Sequence, residues 1–338
     1  MAFENLTAAG SDPAGSSAAK TVRTAVWTFP DKPVADLVAA ARIAEDGGLD
    51  TFWVGDEGPA REAFTVLTAI GQATERIDLG VAVTNPYLRH PALTASTAAT
   101  VAEATGRRLH LGYGPGGSVS LGPVGLEPLH PVRRIEGAIR LSRAVLGAEP
   151  AEGFDPGPFA TPQPLVDIWV GSRSEKVTSL AGRTADGFFA NATKMLLPDL
   201  ITWLRSADRP LDLSLCFPLV LSERDREAIR PYMPFALLNA PPGTAEGAGM
   251  STPAAQEAAE AIRRGDLEAA ARLTPDSAVD AVTISGSADE AAAEFAALAS
   301  AYGADEITAA LHQADLASET EGAVHVLSTA TRLMTTGS

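Results

Sequence analysis

Two adjacent carboxylates, Asp56 and Glu57, follow directly on the apolar run Thr51-Phe52-Trp53-Val54-Gly55. Dry, unpaired carboxylates are costly, so such a pair either stays wet or holds a proton that a neighbouring reaction can use. Acidic residues also favour a helix N-terminus just beyond a strand, so catalytic and structural roles for Glu57 both stay open. A second run, Leu79-Gly80-Val81-Ala82-Val83, stops at Thr84-Asn85-Pro86-Tyr87. There a hydroxyl and an amide can meet the polar edge of a flat ring, or Asn-Pro can simply start a turn.

A third run, Leu109-His110-Leu111, enters Gly112-Tyr113-Gly114-Pro115-Gly116-Gly117. This loop has neither the Lys-Ser/Thr of a nucleotide-triphosphate loop nor the spacing of a dinucleotide fingerprint. What it offers is backbone without side chains, which allows close approach. The fourth group is Gly171-Ser172-Arg173-Ser174-Glu175-Lys176, joined by Asn191-Ala192-Thr193-Lys194. Hydroxyls, a cation and a helix N-terminus form a phosphate cradle; the alternative is a serine N-cap with surface cations. In so acidic a chain, cations at two neighbouring strand ends favour the cradle.

Of the five histidines, His90 precedes Pro91 and reads as a helix cap, and His110 lies inside a strand and reads as core. His312 follows the last strand and is the imidazole to use if Glu57 does not serve. No His-Glu-x-x-His spacing and no Gly-x-Ser-x-Gly elbow is present, so neither a catalytic metal nor a serine nucleophile is expected.

The elements that must position these groups alternate along the chain. Strand-like runs fall at Val22–Thr28, Thr51–Gly55, 77–84, 108–113, Asp167–Gly171, Gly187–Asn191, 213–221 and 305–311. Helical periodicity separates them at Pro33–Gly47, 61–74, 91–104, 131–147, Glu175–Gly182 and 197–206, with a closing helix at 318–333. Eight β/α units point to a (β/α)8 barrel in the α/β class, with ligands at the carboxyl ends of the strands. Residues 21–338 form one domain in this reading, after a disordered tail at 1–20 rich in Ala, Ser and Gly. The segment 222–278 is helical but broken by Pro241-Pro242, Gly243, Gly247 and Gly249. Few large apolar residues flank these breaks, so it is expected to bury little core and to act as a mobile lid.

The chain of 338 residues is 46% hydrophobic and carries a net charge of −16 with a pI near 4.7. That charge excludes a polyanion partner, since nucleic-acid binders need a basic face. No apolar run is long enough to span a bilayer, and residues 1–20 lack a signal peptide's apolar stretch. The single cysteine, Cys216, excludes an intrachain disulfide and fits the reducing cytoplasm.

The strand ends at 79–91 and 109–117 resemble the bacterial-luciferase-like superfamily. Thr-Asn-Pro-Tyr-x-Arg-His-Pro followed by Gly-Tyr-Gly-Pro-Gly is most similar to its deazaflavin-dependent branch. That branch includes methylenetetrahydromethanopterin reductase and a deazaflavin-type glucose-6-phosphate dehydrogenase. The resemblance implies a barrel, a homodimer and coenzyme F420. It implies a non-prolyl cis peptide at Ala82–Val83 against the ring, with Asp56, Thr84, Asn85, Tyr113, Gly114 and Pro115 around that ring. Ser172, Arg173, Ser174, Asn191 and Lys194 would hold the phosphate, Lys194 standing where the sugar-phosphate enzyme has a lysine. The family's Asp-His pair is here Asp56-Glu57, which weighs against glucose-6-phosphate chemistry.

The reading is therefore a reductase passing hydride from reduced coenzyme F420 to a C=C or C=N bond of a small molecule, with Glu57 or His312 as proton donor. A monooxygenase using flavin mononucleotide (FMN) is the alternative on the same fold. A non-catalytic cofactor-binding paralogue is the third reading.

Overall fold

In each of the long strands, alternate residues face opposite ways, and the sequence supplies two apolar sets to match. In β1 (Arg23–Thr28), Val26 packs outward against helices, whereas Ala25 and Trp27 point into the barrel. In β4 (Leu109–Tyr113), Leu109, Leu111 and Tyr113 face outward and His110 faces in. The computed structural model describes residues 21–336 apart from 59, 118, 119, 313 and 314. The expected tail at 1–20 lies outside the described residues.

The remaining strands are β2 (Thr51–Val54), β3 (Asp78–Thr84), β5 (Val166–Val170), β6 (Gly187–Ala190), β7 (Asp212–Val220), β8 (Ile284–Ser285) and β9 (Glu306–Leu311). All pair in parallel in the order β6-β5-β4-β3-β2-β1-β9-β7, and β6 pairs with β7 to close an eight-stranded barrel. The two-residue β8 only extends the end of β7, at Leu219 and Val220. Helices α1 (Val34–Asp46), α2 (Ala63–Ala73), α3 (Pro91–Thr105), α4 (Pro131–Gly147), α5 (Glu175–Thr184) and α6 (Leu197–Leu204) cover the outside. The (β/α)8 expectation holds, and so do its eight strands.

The barrel interior is plugged by aromatic side chains. Trp53, His110, Trp169 and Phe189 meet with ring centroids 5.0–5.2 Å apart. A Cβ on Gly80 would overlap the Trp53 indole, and one on Gly187 the Trp169 indole, so glycine on the adjacent strand makes room for each. Beneath them Glu306, fully buried, accepts hydrogen bonds from Thr51 Oγ1 and Trp53 Nε1, both at 2.9 Å. His110 Nδ1 lies 2.7 Å from Asp167 Oδ2, so this histidine is the satisfied core residue expected.

Between β7 and β8 the chain makes an excursion through six short helices. These are α7 (Glu223–Ile229), α8 (Met233–Leu238), α9 (Thr244–Gly247), α10 (Thr252–Arg263), α11 (Leu267–Leu273) and α12 (Asp276–Asp280). The expectation of little buried core is corrected here. Ile229, Met233, Leu237, Met250, Val279 and Val282 join several alanines in a separate apolar cluster. Small side chains do this work because alanine lets short helices approach closely.

Two helices close the domain: α13 (Ala288–Tyr302) and α14 (Leu316–Thr336). The first has no counterpart among the expected elements. Its start is fixed by a reciprocal Ser287/Glu290 capping box, and Gly303 ends it in the left-handed region at φ 60°.

Candidate active site

Every expected site residue lies on the carboxyl-end side of the barrel strands, but the structure brings only some of them together. At its centre is the Ala82–Val83 peptide, which is cis. Val83 is held in a slot that three glycines create. A Cβ on Gly171 would fall 2.8 Å from Val83 Cγ1, one on Gly112 would fall 3.3 Å from it, and one on Gly114 would overlap Cγ2. The glycines of the Gly-Tyr-Gly loop thus leave room for Val83 rather than for a ligand. Trp27 Nε1 donates to the Ala82 carbonyl at 2.5 Å.

The carboxylate pair stands beside this peptide. Thr84 Oγ1 donates to Asp56 Oδ2 at 2.6 Å. Burial raises the Asp56 pKa, and Glu62 adds to this, against the Thr84 bond and the charge of Arg89. Glu57 accepts from Ser120 Oγ at 2.6 Å. Burial raises its pKa too, helped by the Asp56 charge and opposed by Ser120 and Arg173. Ser120 reaches it because the chain turns at Gly116, φ +74°, and folds the fully buried Leu121 back. Arg89 stands 5.0 Å over the Phe64 ring and binds Glu62 at 2.7 Å.

The phosphate cradle is rearranged. Arg173 turns inward, donating Nε to the Asn191 carbonyl at 2.7 Å and Nη2 to Asn191 Oδ1 at 2.6 Å. Burial lowers its pKa to about 10, and the charge of Glu57 works against that fall. Lys194 pairs with Glu294 of α13 at 2.8 Å, so both cations expected to hold the phosphate have partners within the protein. What faces outward is Ser172 and Ser174, their hydroxyls 3.2 Å apart, before an α5 N-terminus with no side-chain cap. Those hydroxyls and amides suit an anion.

One further expectation is corrected, and the turn alternative for Asn85 is the one its oxygen adopts. The Tyr113 side chain does not face the cleft. Its hydroxyl meets Ser142 Oγ of α4 at 2.8 Å, and burial raises its pKa to about 12, so only its main chain borders the site. Asn85 Oδ1 accepts from the amides of Tyr87 at 3.1 Å and Leu88 at 3.0 Å, so its oxygen builds the turn. Pro115 follows Gly114, whose amide donates to the Thr84 carbonyl at 2.8 Å. His90 caps α3, accepting from the Ala92 amide.

His312 lies against Trp27 and Phe29, with centroids 5.9 and 5.7 Å away, and those two rings meet edge to face at 4.5 Å. Burial lowers the His312 pKa to about 4, and its buried Nε2 has no partner among the described residues. A neutral imidazole can hold a hydrogen bond there but cannot carry a proton to a reaction near neutral pH. Trp27, Phe29 and Ser120 are functional candidates that the sequence reading missed. The two aromatics could have been found as inward positions at the end of β1; nothing local marks Ser120.

Residues 3–306 match the family model described as luciferase-like monooxygenase. This chain belongs to that family. It is 28% identical over 289 residues to 5,10-methylenetetrahydromethanopterin reductase of Archaeoglobus fulgidus, covering 77% of this chain and 85% of that protein. It is 31% identical over 214 residues to the F420-dependent glucose-6-phosphate dehydrogenase of Beutenbergia cavernae, covering 55% of this chain and 64% of that one. Among solved structures, the coenzyme F420 dependent tetrahydromethanopterin reductase from Methanopyrus kandleri superposes with a TM-score of 0.78. That match is 23% identical and covers 90% of this chain and 97% of the other. The luciferase-like barrel expected from the sequence is therefore the fold observed. Among the described residues no helix is long and apolar enough to cross a membrane, and no cluster of three metal-capable side chains occurs.

Proposed function

We propose that this family member is a coenzyme F420-dependent oxidoreductase, acting as a reductase on a small molecule. The observation that carries the reading is the Val83 side chain seated in the slot left by Gly112, Gly114 and Gly171, with the protonatable Glu57 close by. Reductases and dehydrogenases named for this coenzyme are among the chain's relatives. The residues present fit such a group. Val83 offers a fixed apolar face for a flat ring, Asp56 and Thr84 offer polar atoms at its edge, and Ser172, Ser174 and the α5 amides suit its phosphate.

When bound in reduced form, the coenzyme supplies a hydride. The protein supplies the proton. Glu57 is buried enough to keep its proton above the usual carboxylate range, and Ser120 holds the carboxyl in place. Arg173 and Asn191 tie the end of β5 to the end of β6 and fix the charge facing Glu57. His312 is assigned to substrate positioning rather than proton transfer. A role without catalysis is disfavoured because Glu57 occupies the site in a proton-holding environment.

The same reading makes the excursion a cover over the site. A Cβ on Gly117 would lie 3.9 Å from Asn239 Nδ2, and one on Gly247 would lie 2.6 Å from Met195 Cε. It therefore reaches both the loop after β4 and the turn after β6, on the face that holds the site. The exposed Leu93 and Leu129 support a homodimer, and the single cysteine, buried Cys216, fits a cytoplasmic setting.

Titrating the purified protein with coenzyme F420 and with FMN, followed by fluorescence quenching, tests the cofactor. Binding of the deazaflavin at micromolar concentration or below, with FMN much weaker, is expected. Protein that purifies yellow and releases FMN on denaturation would instead favour the monooxygenase chemistry for which the family is named.

A further inference from the structure

The cleft beside Val83 is bordered on one flank by Trp27, Phe29 and His312. The Trp27 indole links this flank to the rest of the site. Its nitrogen holds the Ala82 carbonyl, and a Cβ on Gly55 would lie 3.0 Å from its six-membered ring and 3.5 Å from Glu57 Cγ. Substrate held against this flank lies close to both the ring seat and the proton donor.

Charge at this end of the barrel decides what can sit there. One carboxylate, Asp56, stands in the cleft beside the proton-holding Glu57. Four cations near the cleft already have partners. Arg173 binds Asn191 and faces Glu57, Lys194 binds Glu294, Arg89 binds Glu62, and Lys32, beside His312, binds Asp31 at 2.8 Å. A phosphate or carboxylate on the substrate would face Asp56 and would have to displace an existing partner to gain any of these four cations. His312 adds no charge but leaves one buried nitrogen that needs a hydrogen-bond partner.

We infer that the reaction compartment takes a small, uncharged, unsaturated carbonyl or imine compound, with its flat skeleton against Trp27 and Phe29 and its polar atom toward His312. Only the word unsaturated rests on the reductase reading above; charge and shape follow from the cleft itself.

Two probes of matched size separate the possibilities: cyclohex-2-en-1-one, which is neutral, and cyclohex-1-ene-1-carboxylate, which is not. Ligand-observed NMR titration of the full-length protein, without coenzyme, should show the ketone binding at least about tenfold more tightly than the carboxylate. Phe29→Ala and His312→Phe should each weaken the ketone about fivefold or more and leave the affinity for coenzyme F420 unchanged. Equal or tighter binding of the carboxylate overturns the inference. So does ketone binding that neither variant alters while both melt like the parent protein. If a variant does not fold, the preference between the two probes in the parent protein decides alone. Failure of coenzyme F420 to bind while the ketone preference holds would reject the proposed cofactor and leave this inference standing.

Discussion

Gly114→Ala is the sharpest probe of the ring seat. The new Cβ would overlap Val83 Cγ2 and sit 3.2 Å from the Gly171 carbonyl oxygen, on the far side of the slot. Carbon atoms rest about 3.5–4.0 Å apart, so Val83 has to retreat by about an ångström. It cannot retreat into the sheet. Cγ1 already occupies the room left by Gly112 and Gly171, at 3.3 and 2.8 Å from where their Cβ atoms would stand. The remaining direction is outward, into the cleft where the flat ring would lie. Overpacking of this size costs about 1–3 kcal/mol, or about 5- to 150-fold in Kd if it falls on the ring. The assay is fluorescence titration of coenzyme F420 against the parent, Gly114→Ala, Val83→Ala and the double variant. Removing both Cγ atoms abolishes the overlap, so Val83→Ala should recover most of the loss in the Gly114→Ala background, a coupling of at least about 1 kcal/mol. Parent-like affinity for Gly114→Ala, or strictly additive losses in the double variant, would refute the slot as the basis of the seat.

Glu57→Gln should lower kcat by about 100-fold or more and remove the alkaline limb of the pH–rate profile, because the acid form is the active one. Ser120→Ala should move that limb to higher pH, since it removes a hydrogen bond that stabilises the ionised carboxylate; stopped-flow rates across pH check both variants. Lys194→Ala should change coenzyme affinity by less than about threefold, because its partner is the half-exposed Glu294; a tenfold loss in a binding titration would restore it to the phosphate site. Burial alone would raise the Asp167 pKa, but the bonds to His110 and Arg108 bring it down to about 2 from 3.8. That lowered folded-state pKa contributes roughly 2 kcal/mol above the unfolded pKa, lost as pH falls from about 5 towards 2. Melting curves of Asp167→Asn and the parent should therefore differ at neutral pH and converge in acid. Amide exchange at 240–252 should slow when coenzyme and substrate are both bound, and exchange indifferent to ligand in an active enzyme would rule out a cover.

The sequence by itself determined the barrel, because period-two apolar strands alternating with helical periodicity leave few ways to bury both faces of eight strands. It also located the chemistry at the strand ends, since Asp56-Glu57, Thr84-Asn85 and Ser172–Ser174 each follow directly on an apolar run. The capping of α3 by His90 and the Asn85 turn were legible for the same reason: both are satisfied within two or three residues. The Ser287-x-x-Glu290 signature of α13 is equally local, since both halves of its capping box lie within four residues. What local pattern cannot carry is partnership across the barrel. Arg173 turns inward because Asn191, on the next strand, accepts from it twice, and Lys194 is claimed by Glu294, a hundred residues away. Tyr113 belongs to the helices because the pleat points it outward toward Ser142, although its neighbouring glycines border the cleft. The room left by the glycine loop is filled by Val83 from the adjacent strand, which no local pattern records. Likewise Ser120 reaches Glu57, and His312 meets Trp27 and Phe29, only after the barrel has closed. Sequence determined which residues reach this end of the barrel; closure decided which of them face one another, because charges and hydrogen bonds there pair by distance in space rather than along the chain.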